Sequence, residues 1–437
     1  MKVFLQKNRW EIGVALTALT IHLLCFFFFI QANNGDVLTT VRVDDGFYEL
    51  AKNVLAGNGF SWSAEAPYLQ NTMRTPGYVW LLAGLIKLFG ETGAAIVQLI
   101  AATAIPLIGI YIARAITQSR TIGIATGIVL ALDPTLARLS FQFYTETTFL
   151  LFFLSWLLTT LYYLKRPTTT KLLVSAFLFG GALLIKASIQ YIPFILIPCS
   201  IWAHGKKNWR QGLWHSGAFI LIVGMIVSPW ILRNMHQFDT PAISTQATFI
   251  LYTNFVPAVM SIAEKRDFNE VVHSFLTQEE YRGDAITFAN QNEYKEKAIA
   301  IITDHPAISA FVAGRSLFTF FTNDGFYDIL YRSGLDRHNY LPFLIMMRLV
   351  WIGITITAFI GACIYLLTRR SPQAVLVIAL VAYFALISTI TAFGTNPRYR
   401  LPVDPIILSF AIIGASTVLM QLKNHRLWKK PPQTDTK

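Results

Sequence analysis

Asp44, Asp45, Arg74, Glu146, Lys186, Arg233, Arg398 and Arg400 each stand at, or just beyond, the end of an apolar run. They come from six separate stretches of the chain, so a bundle of helices can gather them round one cavity. Carboxylates facing several cations suit a polar reaction on an anionic substrate: the cations hold a phosphate and a carboxylate takes a proton. The plainer reading, basic side chains at helix ends snorkelling to lipid headgroups, serves equally well for any single Arg or Lys. Asp44 and Glu146 are harder to explain that way.

The run from Asp44 to Gly59 reads as a short helix. Phe47, Leu50, Ala51, Val54 and Leu55 recur at helical spacing, and Gly57 suits the position just past the C-terminus. Its acids fall at the N-terminus, where the helix dipole favours the ionised form by a few tenths to about 1 kcal/mol. An ionised carboxylate there can act as a base; by spacing alone, a simple N-cap is the more economical reading.

The elements that must position these residues are membrane helices. Hydrophobic residues make up 54% of the 437 and charged residues only 14%, against about 25% charged in soluble domains. A charge at the bilayer centre costs on the order of 3 kcal/mol or more, so charges gathered along one rim imply binding or chemistry there. The net charge of +12 is explained by Lys and Arg in cytoplasmic loops and by anionic headgroups, rather than by nucleic acid. Cys25, Cys199 and Cys363 are too few and too scattered for a disulfide framework or a zinc cluster. The first run, 11–31, follows Lys2, Lys7 and Arg9 and lacks a small-x-small cleavage site, so it reads as a retained signal-anchor helix.

Basic residues at the N-terminus, 114–120, 165–171, 206–210, 369–370 and 423–430 outline the topology. Placing all of them in the cytoplasm requires an even number of crossings between neighbours. The runs at 11–31, 93–113, 121–137, 147–164, 171–185, 189–203, 212–232, 341–367, 372–393 and 402–421 then make about ten transmembrane helices, within a range of 9–12. Residues 76–89 are left over and, at about 14 residues, short for a span; they read as an interfacial or re-entrant helix on the outer side. The integral domain covers 1–422, with outer loops at 32–92 and 233–340, and 423–437 form a cytoplasmic tail. Within the second loop, helical spacing at Phe268, Val271, Val272 and Phe275 predicts one helix, and Ile308–Phe321 lies on or dips into the interface.

With the helix at 44–59 and Arg74-Thr75-Pro76-Gly77-Tyr78 in view, the chain resembles the first outer loop of polyprenyl-phosphate-sugar-dependent GT-C glycosyltransferases. The nearest branch is the protein O-mannosyltransferase and lipid A aminoarabinose transferase group. Leu132-Asp133-Pro134 leading to Tyr144-Thr145-Glu146-Thr147 is similar to their second outer loop. Ser228-Pro229-Trp230 with Arg233-Asn234, and Asn396-Pro397-Arg398-Tyr399-Arg400-Leu401-Pro402, resemble two further signatures.

That resemblance implies an all-α GT-C bundle with amphipathic helices on the outer face. It selects Asp44 as the catalytic base, with Asp45 in the place of the usual Glu and Glu146 in that of a supporting acid. Arg74-Thr75-Pro76 aligns with a Lys-Pro-Pro stretch whose Lys approaches the donor phosphate, and the change to Arg keeps the charge with a different geometry. Lys186, Arg233, Arg398 and Arg400 join the expected donor-phosphate contacts by position. The implied reaction is an inverting transfer of a sugar from a polyprenyl monophosphate to an acceptor hydroxyl of a glycan, lipid or protein, on the periplasmic or exterior face of a bacterial inner membrane. Neither a cofactor nor a metal is required: there is no Asp-x-Asp and no clustered His.

Two other readings use the same features. A transporter or flippase for a lipid-linked or anionic solute would bind through the same cations, but such proteins tend to show internal repeats and helices interrupted near the midplane. A polymerase of lipid-linked oligosaccharides would differ in taking a pyrophosphate donor.

Overall fold

The computed structural model describes residues 8–43, 45–277, 279–280 and 285–428, with side chains through residue 421. Apolar runs become helices, and Pro, Gly or charged residues end them. In chain order these are α1 (Arg9–Ala32), α2 (Val37–Val41), α3 (Phe47–Ala56), α4 (Pro76–Ala102), α5 (Ala104–Thr117), α6 (Arg120–Ala131) and α7 (Pro134–Leu139). Then come α8 (Glu146–Lys165), α9 (Thr169–Ile185), α10 (Pro193–His204), α11 (Trp209–Phe238), α12 (Gln246–Ile250) and, past a π turn, α13 (Val256–Ala263). The rest are α14 (Phe268–Phe275), α15 (Gln291–Asp304), α16 (Pro306–Thr322), α17 (Phe326–Arg332), α18 (Leu341–Thr368), α19 (Pro372–Ile387) and α20 (Asp404–Trp428). A single bridge between Ser61 and Gln70 is the only strand-like pairing among the described residues.

The protein is an all-α polytopic membrane protein, with eight helical stretches long and apolar enough to cross a bilayer among the described residues. Seven contain expected crossings. The other three of the ten expected crossings form the shorter helices α6, α9 and α10. Their breaks have local causes. Pro134 disfavours helix at the residue before it and starts α7, while Lys186 leaves the helical region and a 3-10 turn leads to Pro193. Irregular backbone at membrane depth is tolerated where protein buries it or where it lines a cavity.

The eighth stretch, Gln246–Ala263, falls inside the expected loop 233–340. Thr245, at its start, donates its N–H to Thr72 O (3.0 Å) and its hydroxyl to Ile286 O (3.3 Å). Thr72 in turn donates to Ile286 O. Tyr252, Val256, Val272, Leu276, Ile286, Tyr294 and Ala298 then form one apolar cluster. Both ends of the 245–286 segment therefore meet the first loop at one point, and α12–α15 pack on one another. Length and composition alone do not make this helix a crossing.

Residues 76–89 are set off from the rest of α4 by a backbone break. Gly90 (φ 69°, ψ 176°) breaks α4, and the next residue, Glu91, accepts from Lys52 Nζ and Tyr48 Oη at 3.2 Å each. The break thus lies against α3, in the same loop region as Arg74. Opposite it, Glu11 pairs with Arg114 (2.6 Å) and Arg120 (3.3 Å), and Tyr163 bonds Ser200 and His215. The start of α1 therefore meets the loop at 114–120, and the end of α8 meets the residues on either side of the loop at 206–210. Helix α20 continues to Trp428, into the expected tail, whose residues 429–437 lie outside the described ones.

The core joins α8, α9 and α19 through Phe153, Trp156, Phe179 and Phe384, in tilted and edge-on ring contacts. Lipid is as apolar as these rings, so close packing rather than expulsion of water holds such helices together.

Candidate active site

Helix α3 begins at Gly46 (φ 75°), which takes the N-cap place expected of an acid, and ends before Gly57 in the left-handed conformation, as the spacing predicts. Asp45 therefore stands just outside the helix. Asp44, the expected base, lies outside the described residues. A backbone bond from Phe143 N to Val41 O (2.8 Å) ties this loop to the one that leads into α8.

Arg74 is set by three contacts. Its own N–H donates to Asn71 Oδ1 (2.7 Å), and Thr75 Oγ1 donates to Ile185 O (2.7 Å), the last residue of α9. Gly77 permits the approach, since a Cβ there would come within 2.8 Å of Leu184 O. Because Lys186 follows Ile185 directly, this contact brings two cations from distant segments side by side.

The structure gathers Asp45, Arg74, Glu146, Lys186 and Arg398 into one cluster. Asp45 lies between two guanidinium groups, 3.3 Å from Arg398 Nη1 and 3.8 Å from Arg74 Nη2. Glu146, 3% exposed, accepts from Lys186 Nζ (2.8 Å) and Thr145 Oγ1 (3.2 Å) and acts electrostatically on both Arg74 and Arg398. Aromatic rings wall the site: Arg74 lies 4.7 Å from the Phe47 centroid, Arg398 5.4 Å from Tyr144 and Lys186 5.3 Å from Phe149. Burial pushes the Tyr144 hydroxyl above its usual range, and Asp45 adds to that while Arg398 opposes it. Burial also weakens the hold of Arg74 on its proton, with Asp45 opposing. The Nε–H of Arg74 and of Arg398 are buried donors without a partner in the protein. A buried donor left unpaired costs about 1–3 kcal/mol, a penalty that an anion seated between them would remove.

Two expected phosphate contacts stand apart. Arg233 donates to Gln70 Oε1 (3.1 Å) and Asn234 Oδ1 (2.8 Å) within a cage of Phe60, Trp230 and Phe238. Arg400, fully buried, bonds Asp404 (2.7 Å) and the carbonyls of Phe320 (3.0 Å) and Asn323 (2.9 Å), with Trp351 3.7 Å away. It ties α20 to the end of α16 instead of facing the cluster with Arg398.

Sequence reasoning passed over Arg138 and Asp328, an ion pair bordering the site through Tyr144, whose centroid lies 5.8 Å from Arg138. Arg138 carried a usable signal, since an Arg within the apolar stretch from Pro134 to Phe143 needs a buried partner. Asp328 carried none. Among the described residues no three His, Cys, Asp or Glu side chains form a metal-binding group.

An all-helical membrane protein with a largely buried cluster of mixed charges is the class that fold and site define. The family model described as dolichyl-phosphate-mannose-protein mannosyltransferase matches residues 73–232, the stretch holding Arg74, Glu146 and Lys186. That stretch, rather more than a third of the chain, is similar to this mannosyltransferase family. Among solved structures it is similar to ArnT from Cupriavidus metallidurans in the apo state, with 13% identity and a TM-score of 0.40, covering 97% of this chain and 81% of that one. It is likewise similar to the same protein bound to undecaprenyl phosphate, again 13% and 0.40, covering 98% and 82%. No curated protein matches the chain.

Proposed function

We propose that this membrane protein is a glycosyltransferase that moves a sugar from a polyprenyl monophosphate to an acceptor hydroxyl on the extracytoplasmic face, with inversion at the anomeric carbon. The observation that carries this reading is the pair of unpartnered, buried Nε–H donors of Arg74 and Arg398 beside Lys186. Three cations around one pocket suit a phosphate dianion, and a GT-C family named for dolichyl-phosphate-mannose supplies the matching donor class.

Asp45 is engaged by both guanidinium groups and orients them. Asp44 takes the proton of the acceptor hydroxyl as its oxygen attacks the anomeric carbon. The bond from that carbon to the phosphate oxygen breaks, and the electron pair leaves with the phosphate. Arg74 and Arg398, with Lys186, stabilise the charge that gathers there. Phosphate is a good leaving group, so no general acid is needed. Glu146 holds Lys186 in place. Asp44, Asp45, Glu146, Arg74, Lys186 and Arg398 form the proposed site, and Arg233 and Arg400 are left out of it. The bundle end carrying Glu11, Arg114 and Arg120 then faces the cytoplasm of a bacterial inner membrane.

Removing a general base costs on the order of 10²–10⁴-fold in rate. Asp44→Asn is therefore expected to lose turnover by that factor while still binding polyprenyl phosphate. Asp45→Asn is expected to weaken that binding. Full turnover by Asp44→Asn, measured with purified protein, would remove the base.

A further inference from the structure

We infer that Asp328, on the loop helix α17, is a positioning residue that sets Arg398 and Tyr144 for the donor phosphate. This rests on the reading of Arg398 as a phosphate contact. The carboxylate of Asp328 pairs with Arg138 on one side and accepts from Arg332 Nε (3.1 Å) on the other. The Asn396 side chain helps hold the Asp328 carboxyl low, and its Oδ1 accepts the backbone N–H of Arg398 (3.0 Å). Arg138, 1% exposed, also donates to Gln142 Oε1 (2.5 Å) and underlies the Tyr144 ring on which Arg398 rests. One carboxylate thus holds three segments, 138–144, 326–332 and 396–398, none of which is near another in sequence.

The backbone makes the same junction independently. Gly325, the N-cap of α17 (φ 89°), lies so close to Thr135 that a Cβ would fall 2.2 Å from its Oγ1, with Pro397 Cγ at 3.6 Å. Asn323 Nδ2 donates to Thr395 O (3.3 Å), and Gly325 N donates to Asn323 Oδ1 (3.1 Å). The end of the large loop is therefore fastened to the segment that carries Arg398. Asp328 is the charged member of that fastening, and among the described residues it shares no ion-pair partner with Asp45 or Glu146.

The fastening gives the large loop a part in catalysis that needs no contact with substrate. With Asp328 neutral, Arg138 loses its ion pair and keeps only Gln142, and the Arg398 guanidinium, still bonded to Asp45 and Tyr399 Oη, rests on a less firmly held Tyr144 ring.

Two measurements on the full-length protein test this. Amide hydrogen exchange compares wild type with Asp328→Asn and Asp328→Glu. Polyprenyl phosphate binding compares wild type, Asp328→Asn, Arg398→Ala and the double variant. Exchange is expected to rise over 394–400 and 138–145 in Asp328→Asn, to stay unchanged over 246–263, and to return part of the way in Asp328→Glu. Binding is expected to fall about tenfold on Asp328→Asn when Arg398 is present, and not further when it is absent. Unchanged exchange over 394–400, a rise extending equally to 246–263, or equal losses of binding in both backgrounds would each overturn the inference. If exchange rises locally but Arg398→Ala binds like wild type, the positioning stands and the phosphate reading of Arg398 falls.

Discussion

Arg398 and Arg400 are two residues apart, yet they belong to different kinds of site. Arg400 is fully buried against Asp404, two backbone carbonyls and the Trp351 ring, and it joins helices. Arg398 keeps a quarter of its side chain exposed, shares Asp45 with Arg74, and has a buried Nε–H without a partner. The difference follows from the 3-10 turn Pro397–Tyr399 with Arg400 as its C-cap, in which side chains two residues apart point about 120° from each other. Both leave one buried guanidinium nitrogen without a partner, Nη2 in Arg400 and Nε in Arg398, but only Arg398 stays partly exposed and shares a carboxylate with a second cation, where an anion can reach it.

The largest effect that can break this contrast is on stability. Removing one partner of a buried ion pair costs about 3–5 kcal/mol, so Arg400→Ala is expected to lower the thermal midpoint steeply and to reduce the yield of folded protein. Arg398→Ala is expected to leave the midpoint nearly unchanged while turnover falls by on the order of 10²–10³-fold, a loss typical of a charge-stabilising contact. Both quantities can be read from the same purified samples, and a stable, inactive Arg400→Ala would reverse the assignment.

Arg74 sharpens the comparison. Lys supplies the charge without the planar fork, so Arg74→Lys is expected to retain more donor affinity than Arg74→Ala. Equal and small losses in a titration with polyprenyl phosphate would argue against phosphate contact. A smaller effect is expected for Thr75→Val, which removes the bond to Ile185 O and about 1 kcal/mol with it. Unfolding measurements would show that loss, and donor affinity would weaken modestly as Arg74 drifts from Lys186.

The smallest effect is a pH dependence. Burial works to raise the carboxyl of Asp328, but Arg138 and Arg332 outweigh it and hold the group below the usual carboxylate range. A depressed carboxyl stabilises the fold fully above its unfolded value of 3.8 and loses that contribution as pH falls through the lower folded value. Thermal scans of wild type below pH 4 are therefore expected to drop more steeply than those of Asp328→Asn. Parallel curves would mean that Asp328 is not held by its cations.

Much of this arrangement can be read from composition and spacing, and the rest has identifiable physical reasons for being hidden. A turn between 76–89 and 93–113 follows from reading them as separate elements, and Gly90 breaks α4 between them, next to Glu91 with its contacts to Lys52 and Tyr48. Helix α3 and its terminal Gly57 follow from spacing. The meeting of Asp45, Arg74, Glu146, Lys186 and Arg398 was anticipated because each ends an apolar run, and ends of helices converge when helices pack in register. Direction was not legible: nothing in Asn396–Pro402 tells which Arg faces the pocket, since that depends on the turn adopted by Pro397–Tyr399. Nor was the Arg138–Asp328 pair, whose members are 190 residues apart, or the fold-back of Gln246–Ala263, whose length and composition match those of a span.

The most direct test uses the donor's common part, which does not depend on the sugar. Purified full-length protein is titrated with polyprenyl monophosphate, and with polyprenyl pyrophosphate as a competitor, in wild type, Arg74→Ala and Arg398→Ala forms. Saturable binding that prefers the monophosphate, lost on the order of 10²-fold in both variants, is the expected result. Equal affinity in all three proteins would contradict the central claim that these two guanidinium groups hold a lipid phosphate.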